Sequence, residues 1–367
     1  MARKTTDTAA RKPTIHDVAR QAGVSIGTAS RALNRSGSVS ASAMTAVLAA
    51  AEALGYAPDA IAQSMRTRST GVIGLLVSDM SNPLYARIVN AIEARLQREG
   101  LALLLGNTQN DGQREREKID FFRRRRVDGL ILGPCEIERP ALLDSVSASG
   151  FPVIALDRDF GAQGSGVHVD HFTGALQATR YLLNLKHTRI ALMTPSHSLR
   201  PARERIAGFR AAFAERGLQP EEKFIRNERS AMEYAFSEAL ALLSGPQAPT
   251  AFLCLGTRIL AGVLQGIRHS GLSVPDDVSV ISVGDTDLSQ LFLPAITSLT
   301  WDFEAVGTAV AELMLKRLGA GAATAEPERI VLVPQLVMRE SCGPLSTRAR
   351  QLSPSAGLPA ASGPATA

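Results

Sequence analysis

At 367 residues, with 45% hydrophobic and 20% charged side chains, the chain has room for two or three folded units and is too apolar to be natively unfolded. No apolar run approaches the ~18 residues needed to cross a bilayer. The basic opening MARKTTDTAARKP lacks the apolar segment of a secretory signal, and Cys135, Cys254 and Cys342 are too far apart in sequence to form a metal-ligand motif. These features argue against a membrane-spanning helix and against export, and they fit a chain in the reducing cytoplasm. The net charge of +5 is concentrated at one end: residues 1–68 hold nine Lys/Arg against four Asp/Glu, and the remainder is neutral. A basic head on a neutral body is the footprint of a protein that docks on phosphate.

Residues 1–13 show no periodicity and are expected to form a disordered basic tail. Thr14 then precedes the helical pattern IHDVARQA as a cap, and Gly23 breaks that helix. Ser25 is placed to cap IGTASRALN. The loop RSGSVS leads to ASAMTAVLAAAEALG, which closes on Gly55. Pro58 opens a further short helix, DAIAQSMRT.

From Gly71 the pattern changes to strand alternating with helix. Strands are predicted at 72–78, 101–107, 129–134, 152–157, 166–170, 189–194, 251–256 and 278–284. They are unbroken apolar runs, as strands buried on both faces require. Amphipathic stretches such as YARIVNAIEARLQREG lie between them, so the fold class is α/β with parallel sheets. Two such units in succession predict two lobes with a cleft at the carboxyl ends of the strands. The Ala/Ser/Pro-rich segment 344–367 is expected to be disordered.

Residues 15–34 meet the packing demands of a helix-turn-helix. Ala19 is small where two helices cross, and Gly23 sits where the turn needs a positive φ. Val18, Ala22, Val24, Ala29 and Ala32 form the seam. The outer face of the second helix carries Ile26, Gly27, Ser30 and Arg31. An arginine there can pair with guanine O6 and N7, and Ser or Thr hydroxyls at a helix start can bind phosphate. A helical hairpin unrelated to DNA is the alternative.

The runs TIHDVARQAGVSIGTASRALN and VSASAMTAVLAAAEALGYAPDAIAQSMRT resemble the DNA-binding head of the LacI-type (lactose/purine repressor) family. IGLLVSDMSNPLYARIVNAIE, RRVDGLILGP, ARERIAGFRAA, GLSVPDDVSVISVGD and LVMRES resemble the same family's effector domain, in the same order. The resemblance spans about residues 14–343. It implies a helix-turn-helix domain at 14–57, a hinge helix at 58–68 and a two-lobed, periplasmic-binding-protein-like domain at 71–343. Within the latter, the N-lobe takes about 71–168 and 300–326, and the C-lobe about 171–297 and 328–343.

Carried over by position, the resemblance gives Ile26 and Gly27 the setting of base preference and Arg31 a base contact. Thr14, Ser25, Thr28, Ser30, Asn34, Ser38 and Ser40 would lie near phosphates. Gly27 has no side chain, which reduces direct readout. In the hinge, Asp59, Ala62 and Gln63 accompany Met65, which stands where the family inserts a leucine between central base pairs. The family further implies a homodimer on a pseudo-palindromic operator in double-stranded DNA, inside a bacterial cytoplasm and on the nucleoid when bound. Its role would be a ligand-responsive repressor of a catabolic or transport operon, with no cofactor and no catalysis.

Crossovers between lobes are expected near 168–172, 296–301 and 325–330. The loops after the strands supply the family's ligand contacts, here Asp79, Asn82, Tyr85, Asp157, Arg158, Arg203, Arg205, Thr257, Arg258 and Asp285. Thr257 and Gly284 replace acceptors that hold sugar hydroxyls in relatives. Arg158, Arg203, Arg205 and Arg258 would converge instead, which favours a sugar acid or other anion.

Other signals are weaker. FFRRRRVD reads as the end of a surface helix, and His168-Val-Asp-His171 as a strand-to-loop crossing rather than a metal site. Asp285-Thr-Asp287 lacks partner ligands, and GAQGSG matches neither phosphate-binding fingerprint. A transport receptor would account for the two lobes but not for the basic head. An enzyme would need a catalytic constellation that the sequence does not display.

Overall fold

The computed structural model describes residues 12–34, 37–57, 69–135, 151–158, 164–256, 258–320 and 326–345. The expected hinge, with Asp59, Ala62, Gln63 and Met65, lies outside these residues, as do Thr257 and nearly all of both tails. Two compact units meet in sequence at Thr70 and Gly71.

The first unit contains α1 (Ile15–Ala22), α2 (Ile26–Leu33) and α3 (Ala41–Leu54). Thr14 stands at the start of α1, where its backbone N and hydroxyl both donate to the Asp17 carboxylate, at 2.9 and 2.7 Å. Gly23 ends α1 at φ +66°, a backbone state that residues with a Cβ adopt only at a cost. The core is built from small residues. Val18, Ala19, Ala29, Ala32, Val47, Ala50 and Ala51 are all buried, so the three helices can approach closely, with Leu33, Met44 and Leu54 packed around them.

The second unit holds two parallel sheets. The first comprises β1 (Val72–Val77), β2 (Ala102–Asn107), β3 (Gly129–Leu132), β4 (Val153–Leu156), β5 (Ser165–Val169) and β11 (Arg329–Leu332), in the order β11-β5-β4-β3-β1-β2. The second comprises β6 (Ile190–Met193), β7 (Ile225–Arg226), β8 (Ala251–Leu255), β9 (Ser279–Val283), β10 (Thr297–Thr300) and β12 (Gln335–Val337), in the order β12-β10-β9-β8-β6-β7. All eight strands read from the sequence are present. The central ones β3, β8 and β9 are buried along their whole length, as unbroken apolar runs should be.

Helices α4 (Pro83–Gln97), α5 (Gly112–Arg124) and α11 (Phe303–Ala320) belong to the first lobe. Helices α6 (His171–Asn184), α7 (Arg200–Ala214), α8 (Met232–Leu243), α9 (Arg258–His269) and α10 (Asp287–Leu291) belong to the second. Helices α6 and α7 pack closely at Gly208, where an added methyl would collide with the Phe172 carbonyl. The chain crosses between lobes at Asp170, at Trp301-Asp302 and at Val333-Pro334.

The third crossing differs from the expected 325–330. Residues 329–332 pair with β5 as an added edge of the first sheet, so they belong to the N-lobe rather than the C-lobe. The chain then enters the second sheet directly, without a helix to carry it to the far end. β12 therefore runs antiparallel to β10, a local exception to the all-parallel expectation.

Candidate nucleic-acid interface and ligand cleft

In the first unit, α2 presents Ile26, Gly27 and Arg31 to solvent, with Ile26 46% exposed despite its apolar side chain. Ser25 caps α2 by accepting from the Thr28 amide at 3.1 Å, and its hydroxyl lies 2.9 Å from that of Thr28. Arg31 donates to the Thr28 hydroxyl at 3.4 Å, so the guanidinium is steered along the outer face. Ser40 caps α3 by accepting from Ala43 N at 3.3 Å, and Ser38 is exposed beside it. Ser30 and Asn34 are half-buried, and Asn34 turns back to donate to the Ser30 carbonyl at 2.7 Å. Thr14 is also half-buried and engaged with Asp17. The unit thus offers an exposed apolar and cationic helix face flanked by hydroxyl-capped helix starts, where backbone amides favour anionic groups.

In the second unit, a cleft of about 810 Å³, counting its open mouth, lies at the carboxyl ends of both sheets. Its lining follows directly from the topology. Ser78 and Asp79 follow β1, Asn110 follows β2, Pro134 follows β3, Asp157 follows β4, Pro195 follows β6 and Trp301 follows β10. Leu84, Ile88, Leu156, Val167, Val169 and Phe303 supply an apolar wall.

Of the ten residues expected to touch ligand, Asp79, Asn82, Tyr85, Asp157 and Arg205 line this cleft. Asp79 accepts from Ser81 N at 2.9 Å and from its hydroxyl at 2.6 Å, while Asn82 caps α4 through Leu84 N at 3.0 Å. The Tyr85 hydroxyl sits 3.2 Å from that of Ser78, and burial pushes the phenol up to about 12, so it stays neutral.

Four others go elsewhere. Arg158 is buried and forms a two-armed pair with Glu115 of α5, inside the first lobe. Arg203 donates to the Ser198 carbonyl at 2.7 Å and faces a separate surface hollow. Arg258 is exposed, reaching Ser81 at 3.3 Å and Glu233 at 3.8 Å. Asp285 is gripped by both arms of Arg339, each at 2.8 Å. Arg158, Arg258 and Asp285 are drawn away by groups from distant parts of the sequence, and Arg203 by a carbonyl five residues before it. The expected convergence of four arginines on the cleft reduces to Arg205 alone.

Around Asp157 stand residues outside the expected ligand set, among them His171 and Trp301 of the cleft lining. Asp157 holds a positive φ of 55°, and three donors surround its carboxylate. These are His171 Nε2 at 2.7 Å, Arg200 at 2.8 Å and Val169 N at 3.3 Å. Burial alone would raise this carboxyl, but His171 and Arg200 outweigh it and hold the group at about 2. Arg200 also pairs with Glu204 at 2.6 Å. Arg205 donates to His171 Nδ1 at 3.2 Å and to the Thr194 hydroxyl at 3.5 Å, and burial lowers it to about 10, still charged near neutrality. Trp301, the sole tryptophan of the chain, stands edge-on to His171 with ring centres 5.7 Å apart, and against Phe303 at 4.9 Å. Its singularity, on the edge of an expected crossover, was the available signal.

Three buried polar atoms in this cleft have no hydrogen-bond partner among the described residues: Arg205 Nε, Trp301 Nε1 and Asn110 Oδ1. Buried polar atoms are normally satisfied, so two donors and one amide oxygen on residues that line a common cavity can bond to a polar group that enters it. Among the described residues no group of three or more His, Cys, Asp or Glu is placed to hold a metal, and no helix is long and apolar enough to cross a membrane. Cys254 is a buried side chain of β8, and burial pushes its thiol upward.

Comparison with known proteins covers both units. Residues 14–59 match the model of bacterial regulatory proteins of the lacI family, and residues 179–342 match a periplasmic binding protein-like domain. The chain is 31% identical over 339 residues to the HTH-type transcriptional regulator DegA of Bacillus subtilis, covering 92% of this chain and 100% of that protein. It is 31% identical over 329 residues to the ribose operon repressor of Escherichia coli, covering 89% and 99%. Among solved structures, the lac repressor dimer bound to operator and the anti-inducer ONPF is similar with a TM-score of 0.80 at 27% identity, covering 91% of this chain and 100% of that one.

Proposed function

Because this chain belongs to the lacI family of bacterial regulatory proteins, we propose that it is a repressor of a catabolic or transport operon. In this reading a homodimer in the bacterial cytoplasm docks α2 of each protomer in the major groove of a pseudo-palindromic operator, and a small effector in the cleft changes that grip. Ile26 and Arg31 meet base edges, with Gly27 leaving room between them. Ser25, Thr28, Ser38 and Ser40 meet phosphates. The segment around Met65, carried over from the family, acts in the minor groove between the two heads. The observation that carries the effector role is the set of three unpartnered polar atoms, Arg205 Nε, Trp301 Nε1 and Asn110 Oδ1, in one cavity.

The charge around the cleft narrows the effector. Carboxylates of Asp79, Asp157 and Glu204 stand against the guanidiniums of Arg200 and Arg205. A sugar acid or other anion was expected from four converging arginines, and three of these are committed elsewhere. An added anion would face two lining carboxylates with a single lining arginine. A neutral, hydroxyl-rich small molecule fits better, its oxygens accepting from Arg205 and Trp301 and its carbon-bound face lying on the apolar wall.

A gel-shift titration over a range of salt, using a site selected from random duplex, tests the DNA reading. Salt-dependent binding with a preference of about a thousandfold or more for one palindrome is expected. Equal affinity for scrambled duplex refutes it. Calorimetry with neutral sugars and their matched acids tests the effector, and consistently tighter binding of the acids overturns the neutral assignment.

A further inference from the structure

We propose that His171 is a proton-sensitive joint between the two lobes, setting Arg205 for the effector only while the imidazole is neutral. This rests on the cleft being the effector site, and it goes further by assigning a positioning role and a pH dependence to one residue. His171 opens α6 at the first crossover and is 2% exposed. Its two ring nitrogens have opposite duties. Nδ1 faces Arg205 at 3.2 Å, and a guanidinium can only donate, so Nδ1 must accept. Nε2 faces the Asp157 carboxylate at 2.7 Å, which can only accept, so Nε2 carries the hydrogen. The partners therefore fix one neutral tautomer.

An imidazolium has two donors and no acceptor. Protonation would erase the Arg205 bond and set two cations side by side, while the Asp157 contact would survive as an ion pair. The groups facing the ring are few. Asp157 follows β4, and Arg200 and Arg205 come from α7. The Trp301 edge comes from the second crossover, and the neighbouring Asp170 is turned to Thr173 N at 2.9 Å. Tyr85 of α4 faces Asp157 and Arg205 as a neutral phenol. Burial pushes His171 below its ordinary 6.5, with Arg205 acting in the same direction and Asp157 opposing. The joint also spans the lobes, because Asp157 belongs to the first sheet while His171 and Arg205 belong to helices of the second. Acidification thus releases Arg205 from a contact that holds it in the cleft, and effector affinity falls with it.

The chain supplies its own probe. Trp301 is the single tryptophan and touches His171, and an imidazolium quenches indole emission on contact. Emission of the full chain, recorded from about pH 8 to about pH 4.5 without ligand, is expected to drop with a midpoint below 6.5. His171→Gln keeps an amide acceptor and donor in place of the ring and should abolish the step. Arg205→Met should move the midpoint up, and Asp157→Asn should move it down. Absence of a step in the wild type, its persistence in His171→Gln, or a midpoint indifferent to both neighbours would overturn the joint.

D-ribose, D-galactose and D-glucose then serve as calorimetric probes at about pH 7.5 and at about one pH unit below the emission midpoint. Any that binds should weaken by about tenfold at the lower pH in the wild type and stay level in His171→Gln. Equal affinity at both values in the wild type counts against the positioning role. If none of the three binds at either pH, the neutral-polyol reading of the cleft fails, while the emission titration still decides the joint.

Discussion

Oδ2 of Asp157, which follows a strand of the first lobe, lies 2.7 Å from Nε2 of His171, the first residue of a helix in the second lobe. The contact ties acid stability to the cleft. The Asp157 carboxyl is held at about 2 against an ordinary 3.8, so its contribution is complete above 3.8 and is lost as the pH falls toward 2. His171 and His187 are both depressed below 6.5 by burial, so their contributions are complete above 6.5 and are lost as the pH falls through their folded values. Urea midpoints should therefore be level near neutrality and decline once the pH drops below 6.5. A midpoint that climbs on mild acidification would contradict this.

Glu115 and Arg158 form a buried pair, 1% and 3% exposed, that ties α5 to the end of β4. Removing one partner strands a charge in the core, so Glu115→Ala should cost about 3–5 kcal/mol in denaturant unfolding. The double change Glu115→Leu with Arg158→Met should recover most of that loss. Since Arg158 does not line the cleft, ligand affinity of the double variant should remain close to wild type.

The arginines separate by location. Arg205→Ala removes a buried donor set in the cleft and should weaken effector binding by about 1.5–3 kcal/mol, which calorimetry would register as at least tenfold. Arg203→Ala and Arg258→Ala, both outside the cleft, should change affinity by less than about twofold. Asp285→Ala should lower the unfolding midpoint, because Arg339 loses a two-armed partner.

Gly23 closes α1 at φ +66°. Gly23→Val forces a β-branched residue into a left-handed state, at a cost of about 1–2 kcal/mol in the stability of the first unit. Thermal unfolding would show the loss, and Gly23→Asn should recover part of it because asparagine tolerates this conformation.

Arg31 lies on the exposed face of α2, beside Thr28. Under the proposed function, Arg31→Ala should cost about 1–3 kcal/mol on the selected operator and relax preference at one base pair. Ser40→Ala should weaken specific and scrambled duplex alike. If Arg31→Ala reduced both equally, Arg31 would be a phosphate contact instead.

The first unit was almost fully legible in the sequence. Thr14, Gly23, Ser25, Ser40 and Gly55 all stand at the helix ends where their local chemistry puts them. The eight strands read from the sequence were legible for a related reason: strands covered on both faces must be apolar throughout, and most of the eight are unbroken apolar runs. The strands β7, β10, β11 and β12 carried no such mark. Three of the four residues of Thr297–Thr300 carry hydroxyls, and Arg329–Leu332 is a partly exposed edge defined by its pairing with β5. The third crossover was misplaced because no local pattern distinguishes a strand of one sheet from a strand of the other.

For the cleft, sequence by itself determined that charged side chains would stand at the ends of strands, because strand ends must turn into loops. Only the tertiary structure decided which of them face the ligand. Arg158 finds Glu115 across 43 positions and Asp285 finds Arg339 across 54, whereas Arg205 finds His171 in the lining of the cavity. A guanidinium points wherever the fold brings an acceptor within reach, and that acceptor is set by the packing of distant elements rather than by neighbouring residues.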